Sequence, residues 1–405
     1  MKILLVSPFL PSPPRFGGQR RIAGLAKELA RRHDVSVLSF NATDEWEHDS
    51  LDETRTYCRV VRTLPNYEPV GAGAKRKNQL RSMLSRRSYE HSLVATRQDF
   101  QRAFDEMLAA EDYDVVQIEF VQMAPFHLSH HAGNGPLFVL DEHNIEYDIL
   151  RRTAKASTGL SRTVYTALNW RKLAREERAA WRRFDGVALT SARDERLLRD
   201  DFPACRTAVI PNGVDVSEFA PSSDAIDADS LVFFGAINYF PNADGVMYFA
   251  DEVFPTVRRR RPDASFRVIG PGASPEVLER QRNGVEIVGM VDDVNPYIDR
   301  AAVVVVPLRI GGGTRLKIVE ALSKGKPVVS TRLGAEGLDV IDGKHLLLAD
   351  EPQEFADQVE RVLADADLAR RLGAAGRALM EDRYSWGTIT RQLEHFYNEL
   401  MDARR

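Results

Sequence analysis

Three consecutive glycines, Gly311 to Gly313, separate an apolar run from a segment with helical spacing. A glycine turn that leads into a helix leaves backbone N–H groups unpaired at the positive end of the helix dipole. Such a corner binds anions, above all phosphate, because no side chain blocks their approach. Thr314 follows as a candidate N-cap, and Glu320 lies about 9 Å further along the helix at about 1.5 Å per residue. The spacing predicts a diphosphate at the turn and two ribose hydroxyls at Glu320.

The same residues have a simpler interpretation. The turn can be a plain connection, with Lys317 and Glu320 forming an exposed ion pair between residues i and i+3. Spacing alone does not choose between these interpretations, because glycine loops before helices are common.

A second polar cluster follows an apolar strand in the first half of the chain. The strand Leu137 to Leu140 leads into Asp141, Glu142, His143 and Asn144. Ligands of open α/β sheets bind at the carboxyl ends of the strands, so this position favours a functional role. His143 can polarise a substrate hydroxyl or hydrogen-bond a sugar. The alternative is a histidine that is satisfied within its own loop.

The elements that position these residues form two successive series of strands and helices. The first begins with strand Lys2 to Ser7, has Gly17 and Gly18 at its first strand-to-helix junction, and continues with helix Gln19 to Arg32. Those two glycines predict a ligand loop at the sheet edge, with a mere turn as the alternative. The second series begins with strand Leu231 to Phe234, after a loose stretch from Ala220 to Ser230.

Two such series predict an α/β protein with two Rossmann-like, doubly wound domains facing each other across a cleft. We place the first domain at residues 1–210, the second at 211–385, and a last helix at 386–405.

Composition narrows the class of protein. The 405 residues carry a formal net charge of −4. This charge does not indicate nucleic acid binding. Two cysteines far apart fit a reducing compartment, and no run approaches the ~20 apolar residues that span a bilayer. We therefore expect a cytoplasmic protein. Lys75 to Arg87 mixes basic and apolar residues, so it is either a solvated helix face or a peripheral contact with an anionic membrane.

The combined motifs resemble a known family. The glycines after the first strand, DEHN at 141–144, IPNGVD at 210–215, PLRIGGGTRLKIVEALSKGKPVVST at 307–331 and YSW at 384–386 are similar to those of GT-B fold glycosyltransferases. The retaining enzymes of glycosyltransferase family 4 match best, over nearly the whole chain. The resemblance implies a UDP- or GDP-type nucleotide-sugar bound by the second domain and a glycan or lipid-linked acceptor bound by the first.

The resemblance also implies that the reaction belongs to polysaccharide or glycolipid biosynthesis and that the last helix returns to the first domain. No Asp-x-Asp metal motif stands in a suitable place, so no metal cofactor is expected.

Individual roles follow from the motif positions that match the family. Glu320 matches the second glutamate of a paired motif and would hold the donor ribose. Gly313 and Thr314 match backbone positions that meet the diphosphate, and His143 matches a histidine near the donor sugar. Gly17 and Gly18 match a loop beside phosphate and acceptor.

The chain departs from the family pattern in two places. Gly312 stands where the first glutamate of the pair contacts a sugar hydroxyl. The region from Gly235 to Gly245 has Asn238 and Asn242 where the family often has an arginine and a lysine that neutralise the diphosphate.

A departing diphosphate still needs positive charge in a site without metal. We assign that charge to Arg315 or Lys317, with Arg309 as a second candidate.

Two other functions are open on the same architecture. One is a nucleotide-sugar 2-epimerase, which would need no acceptor. The turn before Glu320 and the lack of the usual extra acid cluster disfavour it. A non-catalytic nucleotide-sugar binding protein is the other alternative, because of Gly312.

Overall fold

The structure is a computed structural model that describes residues 1–14, 16–40, 47–67, 71–128, 135–156, 160–310 and 315–405. The chain divides into two compact units. Unit 1 comprises Met1–Pro211 and Ile389–Arg405, and unit 2 comprises Asn212–Thr388.

Unit 1 is built on a parallel sheet whose strands, within the described residues, run in the order β3-β2-β1-β4-β5-β6-β7. The strands are β1 (Lys2–Ser7), β2 (Asp34–Phe40), β3 (Val60–Leu64), β4 (Val115–Glu119), β5 (Leu137–Glu142), β6 (Gly186–Leu189) and β7 (Thr207–Val209). The helices are α1 (Gly17–Ala30), α2 (Glu47–Arg55), α3 (Ala72–Leu84), α4 (Tyr89–Val94), α5 (Gln98–Ala110), α6 (Ala124–Leu128), α7 (Glu146–Ala156), α8 (Leu160–Trp181) and α9 (Ala192–Asp201).

The central strands of this sheet are buried on both faces, as expected for parallel strands that lie between helices. Strand β1 pairs with β2 on one side and β4 on the other. Helix α1 packs one apolar face inwards through Ile22, Leu25 and Leu29, which are all buried. The sheet therefore brings the carboxyl ends of β1, β4 and β5 to one edge.

Unit 2 repeats this architecture with described strands in the order β10-β9-β8-β11-β12-β13. They are β8 (Ser230–Phe234), β9 (Ser265–Ile269), β10 (Val285–Gly289), β11 (Val303–Val306), β12 (Val328–Ser330) and β13 (Leu347–Leu348). The helices that follow are α10 (Phe240–Tyr248), α11 (Phe254–Arg260), α12 (Pro275–Leu278), α13 (Asn295–Arg300), α14 (Leu316–Ser323), α15 (Pro352–Ala364), α16 (Ala366–Leu379) and α17 (Trp386–Arg404). Two parallel Rossmann-like sheets flanked by helices confirm the predicted fold class.

Helix α17 carries the chain end into unit 1, to which residues Ile389–Arg405 belong. It lies close to strand β6 because Gly186 has no side chain. A Cβ at that position would come within 2.6 Å of the Phe396 ring and 2.7 Å of Leu400. The hydroxyl of Tyr397 donates to Gln117 of β4.

Some element bounds differ from the sequence prediction. Gly17 and Gly18 are the first residues of α1 and do not form a loop before it, because Phe16 takes the N-cap position in an extended conformation. The helix after the glycine turn begins at Leu316, with Arg315 at its N-cap. No helix in the described part of the chain is both long and apolar enough to cross a bilayer.

Candidate functional site

In unit 2, the carboxyl end of β8 forms a corner with the start of α14. Gly235 follows the strand with a φ of +138°, a conformation that residues with a side chain rarely adopt. A Cβ there would lie 3.2 Å from Nζ of Lys317 and 3.3 Å from Nδ2 of Asn242. The missing side chain therefore lets the Lys317 amine approach the backbone at the strand end.

Lys317 extends from the first turn of α14 into this corner. Its Nζ donates to Oδ1 of Asn242 at 2.7 Å and lies 3.9 Å from the centroid of the Phe233 ring. Burial lowers the pKa of Lys317 well below its usual value, the nearby charge of Arg315 lowers it further, and Glu320 acts in the opposite direction. An anion bound beside this amine would therefore favour its charged form.

Arg315 and Glu320 flank Lys317 on the same helix. Both side chains are buried, at 8% and 5% exposure. Because Glu320 is buried and Nζ of Lys317 bonds Asn242, the interpretation of Lys317 and Glu320 as an exposed ion pair is wrong. The corner instead combines two basic side chains with a buried carboxylate at the start of one helix.

Arg309 is occupied elsewhere. It forms a bidentate pair with Asp244, with donor–acceptor distances of 2.8 and 3.1 Å, and its guanidinium lies 4.4 Å from the centroid of the Tyr248 ring. The Asp244 carboxylate raises the pKa of Arg309 and neutralises its charge locally. The geometry thus makes Arg309 a weaker candidate than Arg315 or Lys317. Asn238 lies exposed in the turn after β8.

Gly312, Gly313 and Thr314, which carried the prediction of a diphosphate corner, lie outside the described residues together with Gly311.

In unit 1, polar side chains meet where β4 and β5 end. His143 follows β5, and its Nε2 lies 2.8 Å from Oε2 of Glu119, the last residue of β4. The His143 ring stacks on Phe120, with centroids 3.7 Å apart. Burial lowers the pKa of His143 to about 3. The imidazole is therefore neutral at physiological pH, which suits a hydrogen-bonding role towards a sugar and does not suit a proton donor.

Arg21 of α1 connects this cluster to neighbouring segments by hydrogen bonds. It donates from Nε and Nη2 to both oxygens of Asp141, at 2.8 and 2.7 Å, and from Nη1 to the carbonyls of Ile210 and Pro211. Neither the Arg21 nor the Asp141 side chain has any exposed surface. A buried guanidinium with its carboxylate in this geometry ties three segments of unit 1 together.

Glu119, Asp141 and His143 also have ligand atoms within 4.8 Å of one another, a spacing that a metal ion could use. Arg21 already holds both oxygens of Asp141, however, so a cation would have to displace a buried ion pair.

The start of α1 lies next to this cluster, with the ring of Phe120 between them. A Cβ on Gly18 would lie 2.9 Å from Phe120 and 3.2 Å from Phe9, so a side chain there would displace these rings. Phe120 has a φ of +65°, an uncommon conformation for a residue with a side chain. The N-cap residue Phe16 forms no side-chain cap hydrogen bond, and the first turn of α1 has no acidic residue. Gly18 thus lets an uncapped helix N-terminus approach Phe120, which stacks on His143.

The sequence interpretation missed Arg21, Gln117, Glu119 and Tyr397. A signal was present in β4, whose sequence VVQIE places Gln117 and Glu119 in a strand that is otherwise apolar and fully buried. Charged residues are almost never fully buried unless they are paired, so each one in such a strand implies a partner.

Two family models match the chain. One, described as "Glycosyl transferase 4-like domain", matches residues 16–213, and the other, described as "Glycosyl transferases group 1", matches residues 228–365.

Curated relatives are enzymes that act on sugars. A GDP-mannose-dependent alpha-(1-6)-phosphatidylinositol monomannoside mannosyltransferase of Mycolicibacterium smegmatis is 26% identical and covers 97% of this chain and 98% of its own. A glycogen synthase of Mycobacterium tuberculosis is 24% identical over 98% of this chain and 94% of its own.

Solved structures share the fold. Sucrose-phosphate synthase from Thermosynechococcus elongatus superposes with a TM-score of 0.74 at 21% identity, over 100% of both chains. Anabaena HepE in complex with UDP gives a TM-score of 0.67 at 18% identity, over 98% of this chain and 100% of its own.

Proposed function

The chain belongs to the group 1 glycosyl transferases, family 4 with the GT-B fold, and on that premise we propose a retaining enzyme that uses a UDP- or GDP-type donor and a glycan or lipid-linked acceptor. Sugar transfer from a nucleotide-sugar in glycan biosynthesis is the activity of this family. The observation that carries the proposal is the corner formed by Gly235, Asn242 and Lys317, where an amine lies beside a strand end with no side chain in between.

The donor diphosphate would bind at this corner in unit 2. Lys317 and Arg315 would stabilise the charge that grows on the diphosphate as the sugar leaves, because fixed cations act most strongly where water is excluded. Glu320 would accept hydrogen bonds from the ribose hydroxyls. Since these residues supply positive charge themselves, we propose that turnover needs no metal and continues in a chelator.

Residues of unit 1 would form hydrogen bonds with the donor sugar and the acceptor. His143 is neutral, so it would hydrogen-bond a hydroxyl of the donor sugar without protonating it. The uncapped start of α1 at Gly17 and Gly18 would offer N–H groups to phosphate or acceptor.

Incubation with UDP-glucose, UDP-N-acetylglucosamine and GDP-mannose, with and without phosphatidylinositol monomannoside or oligosaccharide acceptors and in EDTA, tests the proposal. We expect release of nucleoside diphosphate that depends on the acceptor, and a product with the anomeric configuration of the donor by NMR. An altered sugar still attached to nucleotide would instead indicate a 2-epimerase. Tight binding without turnover would indicate a binding protein.

An exposed face of helix α3 in unit 1, which we name the α3 face, supports a lipid-linked acceptor. Leu80 and Leu84 of α3 are 65% and 94% exposed, and Met83 is exposed beside them. Nζ of Lys172 on α8 donates to the carbonyls of Ser82 and Met83, which holds α3 in place.

Basic residues flank these apolar residues along the chain. Six of them are exposed and form no salt bridge with a described residue: Lys75, Arg76, Lys77, Arg81, Arg86 and Arg87. A solvated helix face does not account for two largely exposed leucines, whereas an apolar stripe with unpaired cations matches an anionic lipid surface. We therefore propose that the enzyme works at the membrane face, on a lipid-linked acceptor.

Replacing Arg81, Arg86 and Arg87 with glutamine is expected to weaken binding to phosphatidylserine vesicles by on the order of 100-fold, at ~1 kcal/mol per basic residue near an anionic surface. Co-sedimentation at low and high salt measures the effect, which salt should reduce.

The matched control replaces Arg258, Arg259 and Arg260 of α11 with glutamine, an equal charge change that should leave binding intact. Equal losses in both variants, or no vesicle binding by the unaltered protein, would refute a role for the α3 face.

A further inference from the structure

Glu119 is a carboxylate at the end of a buried strand, and both of its oxygens are engaged. Oε1 accepts from Nε2 of Gln117 at 2.6 Å, and Oε2 lies 2.8 Å from Nε2 of His143. The Glu119 side chain has no exposed surface. Glu119 thus joins the amide of Gln117 on one side to the imidazole of His143 on the other.

A hydrogen-bond chain from the last helix sets the direction of these contacts. The hydroxyl of Tyr397 on α17 donates to Oε1 of Gln117. The other end of that amide, its NH₂ group, therefore faces Glu119 and donates to it. Glu119 must accept on this side, so its other oxygen is the one left for His143.

Two further contacts hold His143, one on its ring and one on its backbone. It stacks on Phe120 with planes 26° apart, and the hydroxyl of Thr190 donates to the His143 carbonyl at 3.1 Å. Among the described residues no group forms a hydrogen bond with Nδ1 of His143. That atom is the part of the ring that remains for a ligand.

From this geometry we infer that Glu119 is a positioning residue. It holds His143 in the tautomer with its proton on Nε2, and it leaves Nδ1 as an acceptor for a hydroxyl of the donor sugar. The assignment of the ligand rests on the proposed function. The assignment of the tautomer rests on the hydrogen bonds alone.

The arrangement predicts that the tautomer depends on pH. The groups that face Glu119 come from four elements and the loop after β5, and they are Gln117, Asp141, His143, Arg21 and Tyr397. Burial raises the pKa of Glu119 to about 7, against the opposing effects of Gln117, Arg21 and Asp141.

Above that pH Glu119 is a carboxylate and accepts from Nε2–H. Below it Glu119 is an acid whose O–H donates to Nε2, so the ring proton moves to Nδ1. The imidazole stays neutral throughout, because burial lowers the pKa of His143 to about 3. Loss of the acceptor at Nδ1 should reduce kcat as the pH falls through about 7.

The variant E119Q tests the inference. The new amide oxygen would accept from Gln117, so its NH₂ group would face Nε2 of His143 and force the proton onto Nδ1. Spectra of protein labelled with ¹⁵N histidine, with His143 assigned from a His143→Ala sample, should show Nε2–H in the unaltered protein at pH 8. They should show Nδ1–H in E119Q. We expect kcat to fall about 10–100-fold in E119Q and to lose its inflection near pH 7, as is common when a group that orients a histidine is removed.

The control is E176Q, because Oε2 of Glu176 pairs with Nδ1 of His91 at 3.3 Å elsewhere in unit 1. It should change neither the His143 signals nor the pH profile. An unchanged His143 tautomer in E119Q would overturn the inference.

Should E119Q not fold, a titration of the unaltered protein from pH 6 to 8 decides. A proton on Nε2 at pH 8 supports the inference, and a proton on Nδ1 at pH 8 refutes it. A protein that turns over no nucleotide-sugar would refute the proposed function instead, and the NMR result would be unaffected.

Discussion

Replacing Arg315 with methionine is expected to lower kcat about 10²–10³-fold, the loss typical of removing one group that stabilises developing negative charge. Arg315 is buried at the N-cap of α14, where its charge already lowers the pKa of Lys317. Both cations would face the departing diphosphate, and no basic residue follows β8 to replace them. The measurement is kcat with saturating donor, with circular dichroism as the check on folding.

The matched control is Arg309→Met. It removes the same charge from the same segment, yet Arg309 is already paired with Asp244. We expect less than about a tenfold effect, because a paired cation adds little field at a distance. Normal turnover in the Arg315 variant would exclude Arg315 from the mechanism. Equal losses of kcat in the two variants would mean that the total positive charge of the segment, and not the position of Arg315, determines turnover.

Replacing Arg21 with methionine is expected to destabilise unit 1 by about 3–5 kcal/mol, because it leaves the carboxylate of Asp141 buried without its partner. The two side chains have no exposed surface, and they are joined by two hydrogen bonds of 2.8 and 2.7 Å. Hydrogen exchange of the β1, β4 and β5 amides measures the loss for unit 1 alone, which matters because two-unit proteins do not unfold in one step.

The double variant R21M/D141L provides the control. The double variant removes the Asp141 carboxylate that R21M leaves unpaired, so much of the stability should return. The single variant should also recover as the pH is lowered. Burial raises the pKa of Asp141, and without Arg21 the pKa should rise further, so protonation removes the unpaired charge. Equal losses in both variants would show that packing, and not charge, accounts for the effect.

Features that depend on neighbours along the chain were predictable from sequence. Short β-branched runs such as Val303–Val306, which follow one another with helices between them, specify buried parallel strands. Lys317 and Glu320 could be proposed as site residues because their spacing on a helix is local. Helix bounds were less certain. Gly17 and Gly18 belong to α1 because Phe16 takes the N-cap position, and phenylalanine is not a usual N-cap signal.

Only the tertiary structure determined the partners of the charged and polar groups. Arg21 and Asp141 are 120 positions apart, and Tyr397 is 280 positions from Gln117. Arg309 is the weaker candidate for the diphosphate because it pairs with Asp244, 65 positions away. A sequence shows which residues carry charge, but burial and pairing arise only when distant segments pack. Those two quantities decide whether a cation stabilises the fold or remains for a ligand.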